Sequence, residues 1–288
     1  MKHRRLRILA LAGTLTVLLE LLVFQPWAVD GLSLIGEKVT GRRPVLTWRQ
    51  LAGLMAPEVM WVSKLRADGA APCPALWRTN LGDFWGRARD DELLHLLVAE
   101  HLVNSEYQEP PVFVRQGDVV LDAGAHLGTF SRLALERGAR LVIAFEPEPT
   151  NCACFKRTFR KEIAEGRVIL IEAALWDSPG TLDFAPPQPI NSGTGSAAHG
   201  GGSLKVPATT VDAEIARLGT RLDFIKMDTE GAEPHIIRGA RATITRFRPR
   251  MAISTEHTLE DWVLIPATVL SVRRDYHLKP GRSTMFFY

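Results

Sequence analysis

The stretch VVLDAGAHLGTFS, residues 119–131, organises the reading of the whole chain. Val119 to Ala123 form a short apolar run of strand type that ends at Gly124. From Thr129 to Glu136 the pattern is helical and stops before Gly138, a common helix terminator. A buried strand, a glycine turn and a helix in this order make the first unit of an open α/β sheet. Gly124 permits the tight turn, and Gly128 is expected to let a ligand approach the start of the helix. Backbone N–H groups there would face an anion.

Working outward, the same alternation recurs. LVIAFEP (141–147) is a second apolar strand, followed by a helix expected from Pro149 to Gly166 with Phe155, Phe159 and Ile163 on its inner face. VILIEAALWD (168–177), LDFIKMD (222–228) and RMAISTEH (250–257) read as three further strands. Unbroken apolar strands separated by helices predict an α/β fold, a doubly wound and mostly parallel sheet covered on both faces. The closing runs DYHLKP (275–280) and STMFFY (283–288) predict an antiparallel edge. Residues 186–207, rich in Pro, Gly and Ser, are expected to form a mobile surface loop without a core.

Upstream, residues 31–110 read as a connector and extension. It holds a short helix at 48–60, a hairpin within PALWRTNLGDFWGRARDD (74–91), and a helix at 91–103 burying Leu93, Leu94, Leu97 and Val98. Residues 1–30 differ in character. MKHRRLR precedes the apolar run ILALAGTLTVLLELLVF (8–24), 17 residues that would span roughly 25 Å as a helix. That is the short limit for crossing a bilayer, and Glu20 opposes deep burial. A membrane anchor is the favoured reading over a cleaved signal or a helix lying in the membrane surface. Basic residues flank both ends, so charge alone does not orient it. Residues 111–288 make up the third segment, the regular α/β domain.

Composition excludes several classes. Hydrophobic residues are 46% and charged residues 23%, as in ordinary globular domains. The 35 basic and 32 acidic residues nearly cancel, which gives no reason to expect a nucleic-acid partner. Cys73, Cys152 and Cys154 suggest neither a disulfide framework nor a zinc site, and the Cys152-Ala153-Cys154 run reads as helix packing in a reducing compartment.

In open α/β sheets ligands sit beyond the carboxyl ends of the strands, so the residues at those ends are the candidates. Glu146, 24 residues after Asp122, stands where a ribose hydroxyl pair is bound in nucleotide folds. Gly-x-x-x-Gly in place of G-x-G-x-x-G suits a nucleoside without a pyrophosphate. No Tyr-x-x-x-Lys occurs, which disfavours a nicotinamide oxidoreductase. Asp228, Glu230 and Glu233 crowd the end of the fourth strand, and His257 follows the fifth.

VVLDAGAHLGTFS, FEPEP, IEAALWD, TTVDAEI and especially FIKMDTEGAE together resemble the motifs of the FkbM family of S-adenosylmethionine-dependent methyltransferases, from about residue 115 to 288. The resemblance implies a Rossmann-like methyltransferase fold and S-adenosyl-L-methionine as cofactor. It implies that Asp122, Gly124, Ala125 and Gly128 surround the methionine part, with Asp122 near its amino group. Glu146 would accept the ribose hydroxyls, and Ala173 and Ala174 would leave room for adenine. Asp228 would border both cofactor and acceptor, with Glu230 beside it.

For methyl transfer to an alcohol, Asp228, Glu230 and His257 are the expected catalytic residues; Glu233 is read chiefly as an acid at a helix start. Asp228, Glu230 and Glu256 could hold a divalent ion, but no metal is expected. The implied activity is O-methylation of a hydroxyl on a glycan, lipid-linked sugar or secondary metabolite. The alternative is a membrane-tethered protein that binds without turnover. Because the methyl donor is made in the cytosol, the domain is expected on the cytoplasmic side of a membrane that it contacts through the N-terminal segment.

Overall fold

The computed structural model describes residues 62–67, 71–102, 106–185, 195–197 and 202–288, all within one compact unit, Met60–Tyr288. The expected anchor at 1–30 and the short helix at 48–60 lie outside the described residues. Among the described residues no helix is long and apolar enough to cross a membrane.

The first elements form a small antiparallel sheet, β1 (Ser63–Ala67), β2 (Ala75–Thr79) and β3 (Gly82–Gly86). The hairpin turn falls at Asn80 and Leu81, where Thr79 Oγ1 accepts from the Leu81 N–H and donates to the Gly82 carbonyl. Helix α1 (Asp91–Leu102) follows. It buries Leu94, Val98 and Leu102, while Leu93 and Leu97 are only half-buried and border a cavity described below.

The main sheet contains β4 (Val119–Ala123), β5 (Leu141–Phe145), β6 (Val168–Ile171), β10 (Phe224–Met227), β11 (Arg250–Ser254), β12 (Leu278–Pro280) and β13 (Thr284–Phe287). Its order is β12-β13-β11-β10-β4-β5-β6, with the five strands from β11 to β6 parallel and the C-terminal pair antiparallel, as the apolar runs predict. Every residue of β4 and β10 is buried, so both faces are covered. Helices α2 (Thr129–Glu136), α3 (Pro149–Thr158), α4 (Arg160–Ala164), α5 (Val211–Leu218), α6 (Glu233–Gly239), α7 (Arg241–Phe247) and α8 (Asp261–Val272) connect them.

Several expectations need correction. The helix expected through 149–166 is two helices that break at Phe159, where the Trp85 N–H also binds Thr158 Oγ1. The third strand stops at Ile171. The chain then joins a second small sheet as β7 (Ala174–Leu175), between which and β8 (Gly180–Phe184) lies β9 (Leu204–Thr209). The low-complexity stretch therefore contributes to a strand: Val206 is buried with Ala174 and Phe184, and Ser196 pairs back onto Ala185. Alternation in LKVPAT, with the side chains of Val206 and Ala208 inward, is the signal that the surrounding glycines obscured.

The cysteine reading is also overturned. Cys73 and Cys154 form a disulfide with Cα atoms 5.4 Å apart, tying the N-terminal sheet to α3 across 81 residues of sequence. Cys152 alone is free and buried, its thiol donating to the Glu146 carbonyl. Burial pushes this thiol well above its usual range. The pairing could not be read locally, because it depends on the hairpin docking against a helix it does not adjoin in sequence.

Candidate functional site

A cavity of about 250 Å³ opens at the carboxyl ends of β4, β5 and β10. Gly124, Ala125, Glu146, Ala173, Ala174, Asp228 and Glu230 all border it. Of the residues expected there, Asp122, Gly128 and His257 do not.

The turn after β4 explains the first difference. Gly124 has φ 74, and a Cβ there would stand 1.9 Å from the Asp228 carbonyl oxygen. The glycine is thus required by the close approach of the end of β10. Gly128 also has positive φ, but a Cβ there would meet the rings of Phe159 and Phe155, at 2.2 Å and 2.7 Å. It serves packing of α2 on α3 rather than ligand approach.

Asp122 is fully buried. It lies opposite Lys226 in the β4–β10 register, its Oδ1 3.2 Å from the ammonium, and its Oδ2 accepts from Ser131 Oγ. Oδ1 is ion-paired without a hydrogen bond, and the fully buried residue does not border the cavity. Lys226 also donates to the Gly124 carbonyl at 2.8 Å, fixing the glycine turn to β10. Burial alone would lower its pKa, but Asp122 and Asp228 reverse that and leave it raised. Lys226 sits inside an apolar run, and no sequence signal distinguished it from a strand residue that faces solvent.

Glu146 occupies one side of the cavity and is 5% exposed. Its Oε2 accepts from the His126 N–H at 2.8 Å, and its Oε1 accepts from the Glu148 N–H and from Asn151 Nδ2. His126 adopts φ 51 to deliver that N–H. With only one N–H on Oε2, that oxygen retains acceptor capacity. Burial outweighs these neutral donors and pushes the carboxyl up to about 7. Asn151 and Glu148 in turn receive Arg87 of the N-terminal sheet. Glu172 stays at the surface, bound to Lys156.

The opposite side is built differently. Asp228 Oδ2 accepts from Tyr107 Oη at 2.9 Å, and its Oδ1 lies 3.2 Å from His257 Nε2. Burial opposes ionisation, yet His257, Lys226 and Tyr107 together hold this carboxyl well below the usual range. His257 is sandwiched among acids, with Nε2 3.5 Å from Glu233 Oε1 and Nδ1 3.5 Å from Glu230 Oε2. Burial would lower its pKa, but Asp228 and Glu233 push it up to about 11. An imidazolium at neutral pH cannot accept a proton, so the expected role of His257 as a base does not fit.

Glu230 is held with φ 55 in the turn between β10 and α6, and its carboxyl is raised by burial to about 7. Glu233 begins α6, is fully buried, and accepts from both the N–H and the hydroxyl of Thr229. Tyr107 was missed because it lies in an irregular segment 121 residues from its partner. Glu100 of α1, raised to about 7, also reaches the cavity and was likewise unforeseen.

Comparison with known proteins accords with this arrangement. The family profile described as the methyltransferase FkbM domain matches residues 122–274. The chain is 28% identical over 153 residues to the 2-O-methyltransferase NoeI of Sinorhizobium fredii, covering 45% of this chain and 60% of that protein. Thus it spans less than two thirds of that relative's length. The crystal structure of an FkbM methyltransferase from Methylobacillus flagellatus is 20% identical with a TM-score of 0.49, covering 70% of this chain and 56% of the other. The fibrillarin pre-rRNA processing protein of Methanococcus jannaschii gives 11% identity and a TM-score of 0.40 over 79% of this chain and 96% of its own. Since the family profile spans more than half of the chain, this protein belongs to the FkbM methyltransferase family.

Proposed function

We propose that the protein transfers a methyl group from S-adenosylmethionine to a hydroxyl of a glycan, lipid-linked sugar or secondary metabolite. The observation carrying this reading is one cavity bordered on one side by Glu146 and on the other by Asp228 and Glu230. The residues fit the cofactor. Glu146 Oε2 has acceptor capacity for a ribose hydroxyl, Ala173 and Ala174 offer small side chains beside a flat ring, and Gly124 and Ala125 bring backbone to the wall. Asp122, already paired, is replaced in the proposed contact set by Asp228 as the carboxylate nearest the cofactor's charged end. When bound, the cofactor supplies an electrophilic methyl on a sulfonium.

The chain's own part is positioning and proton removal. Glu230 is the proposed base. Its carboxyl, raised to about 7, can accept a hydroxyl proton near neutral pH, whereas Asp228 is too weakly basic and His257 already carries a proton. Asp228 presents fixed negative charge toward the donor. The likeness to a 2-O-methyltransferase supports oxygen as the acceptor atom. An N-terminal membrane anchor with the domain on the cytoplasmic side would suit a lipid-linked acceptor. The Cys73–Cys154 disulfide weighs against that placement, since such bonds are rare in the cytosol. Protease digestion of intact cells decides between the two sides.

The function is tested by calorimetry and turnover on sugar alcohols with labelled cofactor. Glu146→Ala should weaken cofactor binding, and Glu230→Gln should lower kcat about 10²–10⁴-fold with cofactor affinity retained. Absence of cofactor binding by the native protein would sink the reading.

A further inference from the structure

We propose that Asp228, Glu233 and His257 bind a divalent transition ion, Zn²⁺ or Mn²⁺. One ligand atom from each lies within 4.8 Å of the others. His257 Nε2 is 3.2 Å from Asp228 Oδ1 and 3.5 Å from Glu233 Oε1. Metal–ligand bonds of roughly 2.0–2.2 Å set neighbouring ligand atoms about 3–3.5 Å apart, which matches these two spacings.

Two further observations point to a ligand. Glu233 is 0% exposed, and its Oε2 has no hydrogen-bond partner, a costly state for a buried carboxylate. His257 Nε2 is likewise buried and makes no hydrogen bond, although two carboxylates stand near it. A protonated imidazole would balance the charge but still leaves Nε2 without a linear bond to either acid. An ion between the three groups would give His257 Nε2 a partner and offset the buried charge of Glu233.

The surrounding residues are those a metal site requires. A ligating histidine usually gives its other nitrogen to a carboxylate, and His257 Nδ1 faces Glu230. Tyr107 holds Asp228 through Oδ2, and Thr229 holds Glu233 through Oε1. Imidazole nitrogen among two carboxylates favours Zn²⁺ or Mn²⁺ over Mg²⁺ or Ca²⁺, which prefer oxygen alone. Asp228 also borders the cavity, so the ion would share a ligand with the proposed acceptor pocket.

A bound ion would take the place of the proton on His257 Nε2, and its affinity is measured without turnover, so the test is separate from that of the methyl-transfer reading. Full-length protein is stripped with a chelator and titrated calorimetrically with Zn²⁺ and, separately, Mn²⁺. The expected result is one ion per chain, with affinity about 100-fold lower in Glu233→Gln and about tenfold lower in Tyr107→Phe. X-ray absorption of the Zn²⁺-loaded protein should show one histidine among oxygen ligands, a readout that holds even if Glu233→Gln fails to fold. Native protein that binds neither ion more tightly than the variants, or a spectrum without histidine, overturns the proposal. A failure of cofactor binding in the same preparation would count only against the methyl-transfer reading.

Discussion

The two sides of the cavity each present a carboxylate, buried for Glu146 and part-buried for Asp228, and their chemistry is opposite. Glu146 is surrounded by neutral N–H donors and is pushed up to about 7. Asp228 stands between Lys226, His257 and Tyr107 and is pulled far down. One cavity therefore holds a group that titrates near neutrality on one side and an anion on the other. What decides the outcome is whether the neighbours carry charge, because a neutral N–H does less than a cation to offset the loss of water.

The largest test of this contrast is Lys226→Met. Removing the ammonium leaves Asp122 buried opposite an apolar side chain and takes away one cation near Asp228. Destabilisation of about 3–5 kcal/mol is expected in denaturant unfolding, as for breaking a buried ion pair. Loss of under about 1 kcal/mol, within the range of exposed pairs, would show that the charges are solvated.

Tyr107→Phe is a milder probe of the same side. It deletes one hydrogen bond to a charged acceptor and should cost about 1.5–3 kcal/mol in stability, with melting and cofactor binding measured together. An unchanged melting temperature would mean that water replaces the hydroxyl.

The smallest effect belongs to the Glu146 side. The free carboxyl, raised to about 7, is mostly protonated at lower pH, and the ribose hydroxyls favour its ionised form. Cofactor affinity should therefore rise with pH, by about tenfold between pH 6 and pH 8, and Glu146→Gln should flatten that slope. A slope persisting in the variant would assign it to Glu230 or Glu100, which are also raised to about 7.

The five parallel strands were legible because each is an apolar run bounded by glycine, proline or acid, and such runs tolerate burial on both faces. The C-terminal antiparallel pair and the 74–91 hairpin were legible from turn residues, which act locally. The positions of Gly124, Ala125, Glu146, Ala173, Ala174, Asp228 and Glu230 along one rim follow from the same pattern, since a parallel sheet brings its strand ends together.

Other features depend on segments distant in sequence. Helix α8 was not anticipated, and Leu259, Trp262, Val263 and Leu264 at its start are apolar yet exposed, with Leu259 at 95%. Asp122 carries the residue type a cofactor amine would want, but the β4–β10 register puts Lys226 opposite it. Tyr107, the Cys73–Cys154 bond and the position of His257 among three acids join chain segments with no shared periodicity. Sequence alone determined the alternation of strand and helix, and with it which edge of the sheet carries the acids, because hydrophobic period and turn chemistry act over a few residues. Tertiary structure alone decided which of those acids are neutralised, which stay ionised and which lack a partner, because charge interactions depend on distance in space and on the water that packing removes.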